Sequence, residues 1–290
     1  MKFLGSAPSV ENVDNVILGL PMDETCCFRP GTRLGPREIR YHSDNLELFS
    51  IEQGRELGER TFFDAGDVEL TVGAPDTAMN EIARAVGEIL DRGQRPVCLG
   101  GEHGVTAGIA RALAPRFPDL CVLHVDAHYD LREQWLGSSL SHATALRNVW
   151  NTMGFDTADE PPRLVQIGIR SGPPEEWAFA QRHIPQFMPD GVASLESFLD
   201  DWARRWAGRP VYCTFDIDAV DPAYAPGTGT PEAGGITSRE ALALVRSLAK
   251  FRLVGFDLVE VSPPWDPAGI TSALAAKLVR ELLIALQPED

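Results

Sequence analysis

The stretch Leu123-His124-Val125-Asp126-Ala127-His128-Tyr129-Asp130 joins an apolar run to three polar side chains that are spaced two residues apart. The apolar part predicts a buried strand, and the change to polar residues predicts its carboxyl end. Side chains at i and i+2 of a strand point to the same face, so Asp126, His128 and Asp130 are expected to share one volume. Such a group is typical of a site for divalent cations. The alternative is a polar strand end in which Asp130 caps the following segment.

Apolar runs and helical patterns alternate along the chain, with no repeat, low-complexity tract or charged linker between them. This alternation predicts an α/β fold, a three-layer α/β/α sandwich with a mostly parallel central sheet, formed by a single domain over residues 1–290. The predicted strands are Val16–Pro21, Thr61–Ala65, Pro96–Gly100, Leu120–Asp126, Leu164–Ile169, Gln186–Met188, Val211–Asp218 and Leu253–Glu260. The predicted helices are Pro36–Tyr41, Thr77–Arg92, Val105–Ala114, Pro174–Arg182, Leu195–Ala207, Ser238–Lys250 and Ser272–Leu286.

The composition is that of a globular protein with a sizeable core, because 44% of the 290 residues are hydrophobic and 23% are charged. The formal net charge of −16 argues against nucleic acid and anionic membranes as partners, and it is compatible with a small cationic substrate. The five cysteines are odd in number and form no Cys-x-x-Cys, a pattern typical of a reduced compartment. With no signal region and no run of membrane-spanning length, the expected location is the cytoplasm.

A second acidic pair, Asp216 and Asp218, follows the apolar run that ends in Thr214-Phe215. Two carboxylates that point the same way repel each other unless a cation or a proton lies between them. The alternative is a pair of turn-forming aspartates before Asp221-Pro222, a description that fits Asp221 better. A metal-binding role for the pair is therefore predicted.

Two further polar groups follow predicted strands, His103 in Gly100-Gly101-Glu102-His103-Gly104 and Glu260 in Leu258-Val259-Glu260. In open parallel sheets the site lies outside the carboxyl ends of the strands, where all four motifs are predicted to meet. Alone, His103 would be read as a solvated or capping residue and Glu260 as a surface acid. Beside the other motifs, His103 is a candidate ligand and Glu260 a candidate partner for a guanidinium group.

The charge of the predicted cluster favours two metal ions, since four aspartates carry about −4 and two divalent cations about +4. Carboxylate and imidazole ligands suit Mn²⁺, which is the leading candidate. Two-metal sites make hydroxide available near neutral pH. His142, in the loop after the first motif, is by itself an ordinary exposed histidine, but it has the pKa range needed to move protons at neutral pH.

These motifs closely resemble those of the ureohydrolases, the family of arginases and agmatinases. The resemblance lies in Gly-Gly-Glu-His at 100–103, Asp-Ala-His-Tyr-Asp at 126–130, Phe-Asp-Ile-Asp-Ala-Val-Asp-Pro at 215–222, Ala-Pro-Gly-Thr-Gly-Thr-Pro at 225–231, and the segment 28–37. It covers most of the chain, and it implies the arginase-like sandwich with a binuclear Mn²⁺ centre. The implied reaction is hydrolysis of a guanidino group to urea and a primary amine, and the implied assembly is a trimer or a hexamer.

The resemblance also implies roles for individual residues. His103 and Asp130 would hold one ion and His128 the other, with the remaining aspartates shared between them. Asp130 would in addition accept the hydrogen bond of the attacking hydroxide and pass its proton to the leaving amine. His142 matches the proton-shuttling histidine of the family, and Glu260 its guanidinium-binding glutamate. The shared aspartates are Asp126, Asp216 and Asp218.

The resemblance is to the agmatinase branch, because the 225–231 segment is agmatinase-like and the asparagine that typical arginases place two residues after Asp130 is Arg132 here. Agmatine, cleaved to urea and putrescine in polyamine biosynthesis, is therefore the expected substrate. Arg132 would pair with Glu133 or, if it faces the tail, favour guanidinobutyrate. Aminopropylagmatine is the near alternative and arginine a more distant one. A non-catalytic regulatory homologue and a metal-dependent deacylase are the rivals from other classes.

Overall fold

The computed structural model describes residues 1–58, 61–156 and 158–288. Its strands are β1 (Asn15–Leu20), β2 (Phe49–Ser50), β3 (Arg55–Glu56), β4 (Phe62–Asp67), β5 (Arg95–Gly100), β6 (Cys121–Val125), β7 (Leu164–Ile167), β8 (Gln186–Phe187), β9 (Pro210–Asp216) and β10 (Arg252–Val259). Eight of them form one sheet in the order β4-β1-β5-β10-β9-β6-β7-β8. Every neighbouring pair in this sheet is parallel, as the continuous apolar runs predict.

Helices cover both faces of the sheet. They are α1 (Gly35–Ser43), α2 (Pro75–Asp91), α3 (Val105–Leu113), α4 (Ala145–Met153), α5 (Pro174–His183), α6 (Val192–Arg205), α7 (Ser238–Ser247) and α8 (Ile270–Ala285). Alternate strand residues enter the two cores: Leu123 and Val125 pack with α1, α6, α7 and α8, whereas Val122 packs with α2 to α5. The three-layer α/β/α prediction is confirmed. Among the described residues, no helix combines the length and the apolarity that a membrane span requires.

The strand ends differ from the prediction where they matter most. β6 ends at Val125 rather than Asp126, β9 ends at Asp216 rather than Asp218, and β10 ends at Val259 rather than Glu260. Asp216 is thus the last residue of its strand, whereas Asp126, Asp218 and Glu260 lie in the loops that follow the strands. The other predicted strands and helices are present, with ends that shift by up to three residues.

Two elements were not predicted, helix α4 and the small antiparallel hairpin of β2 and β3. The signal for α4 was present in the chain. Ser141 and Thr144 form a capping box before it, and the buried residues Leu146, Val149 and Met153 lie on one helical face. The hairpin strands are two residues each and carry no periodic pattern.

Four adjacent strands present their carboxyl ends side by side. The order β5-β10-β9-β6 brings the loops after each of them to one edge of the sheet. Those loops carry His103, Glu260, Asp218 and the 126–130 segment. The topology therefore assembles the polar motifs that the sequence separates by up to 157 positions.

Candidate metal centre

Backbone amides in the loops fix the acidic side chains. The His128 amide donates to Asp126 Oδ1 (2.6 Å), the Asp218 amide to Asp216 Oδ1 (2.8 Å) and the Ala127 amide to Asp218 Oδ1 (3.0 Å). Asp130 has a φ of 53° and Asp218 lies in a short 3₁₀ turn. The sequence analysis expected the alternation of side chains along a strand to bring Asp126, His128 and Asp130 together. That reason was wrong, because these residues lie in a loop after β6 and turns of the backbone bring them together.

The first group of candidate ligands surrounds His103 Nδ1. Asp126 Oδ2 and Asp130 Oδ2 each lie 3.0 Å from this nitrogen, and Asp216 Oδ2 lies 3.4 Å from it. His103 is 1% exposed. Within the described part of the chain, Nδ1 has no hydrogen-bond partner although it is buried. A buried nitrogen aimed between three carboxylate oxygens is the donor set of a divalent cation.

The second group surrounds His128. Its Nδ1 lies 2.9 Å from Asp218 Oδ2 and 3.6 Å from Asp126 Oδ1. Asp126 therefore presents one oxygen to each group and joins the two. On the far side of the ring, His128 Nε2 faces Glu232 Oε1 at 3.8 Å, and the hydroxyl of Ser171 donates to that oxygen (2.8 Å).

The buried carboxylates of the cluster repel one another, and a bound cation would reduce this repulsion. Burial, followed by the charges of Asp218 and Asp126, raises the pKa of Asp216 well above its usual value. Burial and Asp126 likewise raise the pKa of Asp218. Burial opposes the charged form of His128 too, yet Asp218 and Asp126 raise the pKa of this imidazole. Two divalent cations would remove the carboxylate repulsion, so the residues present fit a two-metal centre.

His103 is oriented by a buried chain of hydrogen bonds. Its Nε2 lies 2.8 Å from Thr214 Oγ1, and the Thr214 hydroxyl donates to Asp257 Oδ1 (2.7 Å). Asp257 is fully buried and also accepts from Thr106 Oγ1 (2.9 Å) and from the hydroxyl of Tyr212. Since Thr214 gives its only proton to Asp257, it accepts from His103 Nε2. This tautomer leaves the lone pair of Nδ1 directed at the candidate metal site.

His124 lies beside the first group, but it is not a candidate metal ligand itself. It donates a hydrogen bond to Asp126, which is one. Its Nδ1 accepts from Gln166 Nε2 (3.1 Å), so the proton is on Nε2, which donates to Asp126 Oδ2 (2.8 Å). Gln166 is fixed in turn by Gln186, whose Nε2 donates to Gln166 Oε1 (3.1 Å). The chain Gln186–Gln166–His124 thus positions Asp126.

Glu260 lies at the wall of the same cavity. Its backbone has a φ of 64°, a left-handed conformation that glutamate rarely adopts, and its Oε1 accepts from the His103 amide (2.7 Å). Burial raises the pKa of Glu260 to about 8. Strained backbone at a buried acid is typical of functional sites. A guanidinium group placed there would compensate the carboxylate by a bidentate ion pair.

His142 lines the cavity in a short 3₁₀ turn before α4, where the 23–33 segment holds it. Thr25 donates its hydroxyl proton to Glu102 Oε1 (2.7 Å), accepts from the His142 amide (3.0 Å) and faces His142 Nδ1 at 3.4 Å. The His142 proton is therefore on Nδ1, and Nε2 faces Cys27 Sγ at 3.5 Å. Burial lowers the pKa of His142 below its usual value, so the ring is neutral near pH 7.

The cavity above these groups has a volume of about 170 Å³. Arg132 lines it, and its guanidinium carbon lies 4.3 Å from the centre of the Trp135 ring. Among the ion pairs within 4 Å in the described ranges, none joins Arg132 to Glu133, so that predicted pair does not form. Glu176 lines the same cavity, and burial, followed by the charge of Asp130, raises its pKa to about 7.

The structure thus brings all eight predicted catalytic and metal-binding residues, together with Arg132, to one edge of the sheet. Sequence reasoning missed the residues that support them. Thr214 and Asp257 had a readable signal, since a hydroxyl and an acid interrupt otherwise apolar strands. Thr25, Cys27 and Glu176 had none, because their roles depend on contacts between distant segments.

Comparisons with known proteins agree with this geometry. The family described as the Arginase family matches residues 13–285. An agmatinase of Bacillus anthracis is 44% identical over 285 residues, which cover 97% of this chain and 95% of that protein. A guanidinobutyrase of Pseudomonas aeruginosa is 35% identical and the match covers 97% of this chain and 89% of that protein. The crystal structure of agmatine ureohydrolase of Thermoplasma volcanium aligns with a TM-score of 0.88 at 32% identity, over 98% of this chain and 94% of that one.

The chain belongs to the arginase family. Its parallel sheet with an Asp–His cluster at one edge is the architecture that these proteins share. It is a hydrolase that acts on guanidino compounds. The resemblance found in the sequence motifs is confirmed.

Proposed function

We propose that this chain is a binuclear manganese ureohydrolase that converts agmatine to urea and putrescine. The observation that carries the proposal is the buried Asp–His cluster in one cavity with the Glu260 carboxylate. The cluster is the centre for a water-derived nucleophile, and Glu260 is the anchor for a guanidinium group. The agmatinase of Bacillus anthracis, at 44% identity, supports agmatine as the substrate, and the acidic charge of the chain favours the encounter with a dicationic guanidine.

Two Mn²⁺ ions are the proposed cofactors. His103, Asp130 and Asp216 would hold one, His128 and Asp218 the other, and Asp126 would contribute an oxygen to each. When bound, the ions supply Lewis acidity and hydroxide at neutral pH.

Three residues of the chain perform the remaining steps. Glu260 orients the guanidinium group against the cluster and keeps its carbon in line for attack. Asp130 accepts the proton of the attacking water and passes it to the leaving amine. His142, neutral near pH 7, exchanges protons between the cavity and solvent through its unprotonated Nε2.

Guanidinobutyrate is the second candidate substrate, because Arg132 lines the cavity and could meet a carboxylate tail. Its guanidinium carbon lies over the Trp135 ring, 4.3 Å from the ring centre. Aminopropylagmatine would use the same contacts as agmatine if its longer tail is accommodated, and arginine is a weaker candidate.

Urea release from agmatine by protein reconstituted with Mn²⁺ tests the function. Urea formation is the expected result, and a parallel assay with acetylated amines should give no product. No urea from any guanidine, with metal bound, would indicate a non-catalytic regulatory homologue. Cleavage of an acetylated amine would indicate a deacylase instead.

Glu260→Gln is expected to lower kcat/KM for agmatine by about ten- to a hundredfold. The substitution removes the negative charge that would pair with the guanidinium group of the substrate. Manganese content should be unchanged, because Glu260 is not a proposed ligand. Steady-state urea assays and metal analysis of the purified variant check both statements. Full activity of the variant would place guanidinium recognition elsewhere.

Thr214→Val is expected to weaken the binding of Mn²⁺ to one of two sites by about ten- to a hundredfold, because His103 Nε2 loses its acceptor. The change keeps the volume of the side chain. Thr214→Ser, which keeps the hydroxyl, should bind Mn²⁺ like the unmodified protein. Calorimetric titration of the metal-free proteins measures both affinities, and equal losses in the two variants would contradict the positioning role.

The remaining expectations stay predictions of the same proposal. They are a single ureohydrolase domain over residues 1–290, a trimer or hexamer, and a cytoplasmic location. The family match over residues 13–285 supports the first of them. Light scattering of the purified protein measures the second.

A further inference from the structure

Glu102 is a fully buried acid behind the cavity that the proposed mechanism does not use. It is 0% exposed, and no ion pair within 4 Å involves it in the described ranges. Among the described residues, both hydrogen bonds to its carboxylate come from Thr25. The Thr25 hydroxyl donates to Oε1 (2.7 Å) and the Thr25 amide donates to Oε2 (2.7 Å). Burial of a carboxylate costs free energy, so a group held by this acid alone is a candidate for a functional role.

The backbone around Glu102 is shaped to receive the segment that carries Thr25. The Glu102 amide donates to the carbonyl oxygen of Met22 (2.6 Å). A Cβ atom on Gly101 would collide with that carbonyl group. A Cβ atom on Gly104 would lie 3.1 Å from Glu102 Oε1 and 3.5 Å from an amide nitrogen of the turn before α4. The two glycines therefore let the Thr25 segment and this turn pack closely against the acid.

Thr25 connects the buried acid to His142. Since its only hydroxyl proton goes to Glu102, its oxygen is an acceptor on the side of His142. That oxygen accepts from the His142 amide (3.0 Å) and lies 3.4 Å from His142 Nδ1. It thus meets both the backbone and the ring of His142. The described wall of the cavity includes His142 and Cys27 but not Thr25, so any effect of Thr25 on the reaction would pass through the ring.

We propose that Thr25, held by Glu102, is a positioning residue that fixes the orientation and the tautomer of His142 for proton exchange. The inference rests on the proposed ureohydrolase function and concerns the rate of that reaction rather than its substrate. With the imidazole proton on Nδ1 and directed at the Thr25 oxygen, the lone pair of Nε2 faces the cavity and is ready to receive a proton. Without the hydroxyl, Nδ1 loses its acceptor, and the ring is free to rotate or to carry its proton on Nε2.

A double-mutant cycle with His142→Ala tests whether Thr25 acts through the ring. Thr25→Val keeps the volume of the side chain and is expected to lower kcat for urea release from agmatine by about tenfold or more, with KM and manganese content unchanged. In the His142→Ala background the same change should alter kcat by less than about twofold, because the ring that Thr25 positions is gone. Thr25→Ser keeps the hydroxyl and should retain most of kcat. Thr152→Val, on the exposed side of α4, is the matched control and should be fully active.

Glu102→Gln tests the same contacts if the valine variant is unstable. The Thr25 amide is a fixed donor and would take the one acceptor oxygen that the substituted side chain keeps. The new amide nitrogen would then donate to the Thr25 oxygen, and the hydroxyl would turn to donate to His142 Nδ1, which moves the imidazole proton to Nε2. A loss of about tenfold in kcat is expected in the otherwise unmodified protein, and no further loss is expected beside His142→Ala.

Two results would overturn the positioning role while urea release by the unmodified protein stands. One is an equal loss of kcat from Thr25→Val, or from Glu102→Gln, with and without His142. The other is a Thr25→Val protein as fast as the unmodified one, or a Thr25→Ser protein as slow as Thr25→Val. Failure of the unmodified, Mn²⁺-loaded protein to release urea from any guanidine would overturn the proposed function and this inference together.

Discussion

Replacement of Asp218 by alanine is expected to abolish urea release and to remove metal from the protein. Asp218 Oδ2 lies 2.9 Å from His128 Nδ1, and its Oδ1 accepts from the Ala127 amide, so one side chain provides a ligand and fixes the first motif. Without it, the second ion keeps only His128 and an oxygen of Asp126. Metal analysis after dialysis should find about one Mn²⁺ per chain, with activity at background.

Asp190→Ala is the control for this experiment, because Asp190 is an exposed acid on the loop before α6. It should keep two ions and full activity. An Asp218→Ala protein that retains both ions and its turnover would show that the cluster has been assigned wrongly.

His142→Ala is expected to keep its manganese and to lose about a hundredfold to ten-thousandfold in kcat, the usual contribution of a general acid–base group. Its ring lines the cavity between Thr25 and Cys27 without being part of either ligand group. Added imidazole should restore part of the rate, because the deleted side chain leaves room beside the cavity. Single-substrate urea assays at neutral pH measure both effects.

His183→Ala, on the last turn of α5 and outside the cavity lining, is the matched control and should be fully active. If the rate of His142→Ala is unchanged near pH 7, or if imidazole has no effect on a slow variant, proton exchange does not pass through His142.

The sheet could be predicted because its strands are buried on both faces. The run before Asp126 is largely apolar and ends abruptly at polar residues. This change from apolar to polar residues locates the end of the strand within a few residues. Parallel order then requires that the loops carrying His103, Asp126 and Asp216 share one edge. This argument needs no side-chain geometry, which explains why these residues could be expected to lie close together without exact strand or helix boundaries.

The conformation of the site could not be predicted from spacing. Asp130 and Glu260 adopt left-handed backbone conformations, with φ of 53° and 64°, and no pattern of neighbouring residues indicates this for non-glycine residues. Asp216 is a strand residue, as predicted, but Asp218 is not, because a 3₁₀ turn directs its side chain. Helix α4 was missed although its capping box was readable.

The contacts that support the site residues could not be predicted from the sequence either, because they join distant segments of the chain. Thr25 meets His142 across 117 positions, and Asp257 reaches Thr214 across 43 positions. A threonine or glutamate has many possible partners, and only packing selects one of them. These contacts determine the tautomers assigned to His103 and His142, so the structure adds the orientation of the reacting groups to a ligand set that the sequence already indicated.

The central claim, hydrolysis of a guanidine with a cationic tail, is tested most directly by competition in one vessel. Equal concentrations of agmatine and 4-guanidinobutyrate are mixed with the Mn²⁺-loaded protein, and putrescine and 4-aminobutyrate are quantified at low conversion. The ratio of products is the ratio of the two kcat/KM values. The account predicts that putrescine exceeds 4-aminobutyrate by about tenfold or more. An excess of 4-aminobutyrate would contradict it and would indicate that Arg132 binds the tail of the substrate.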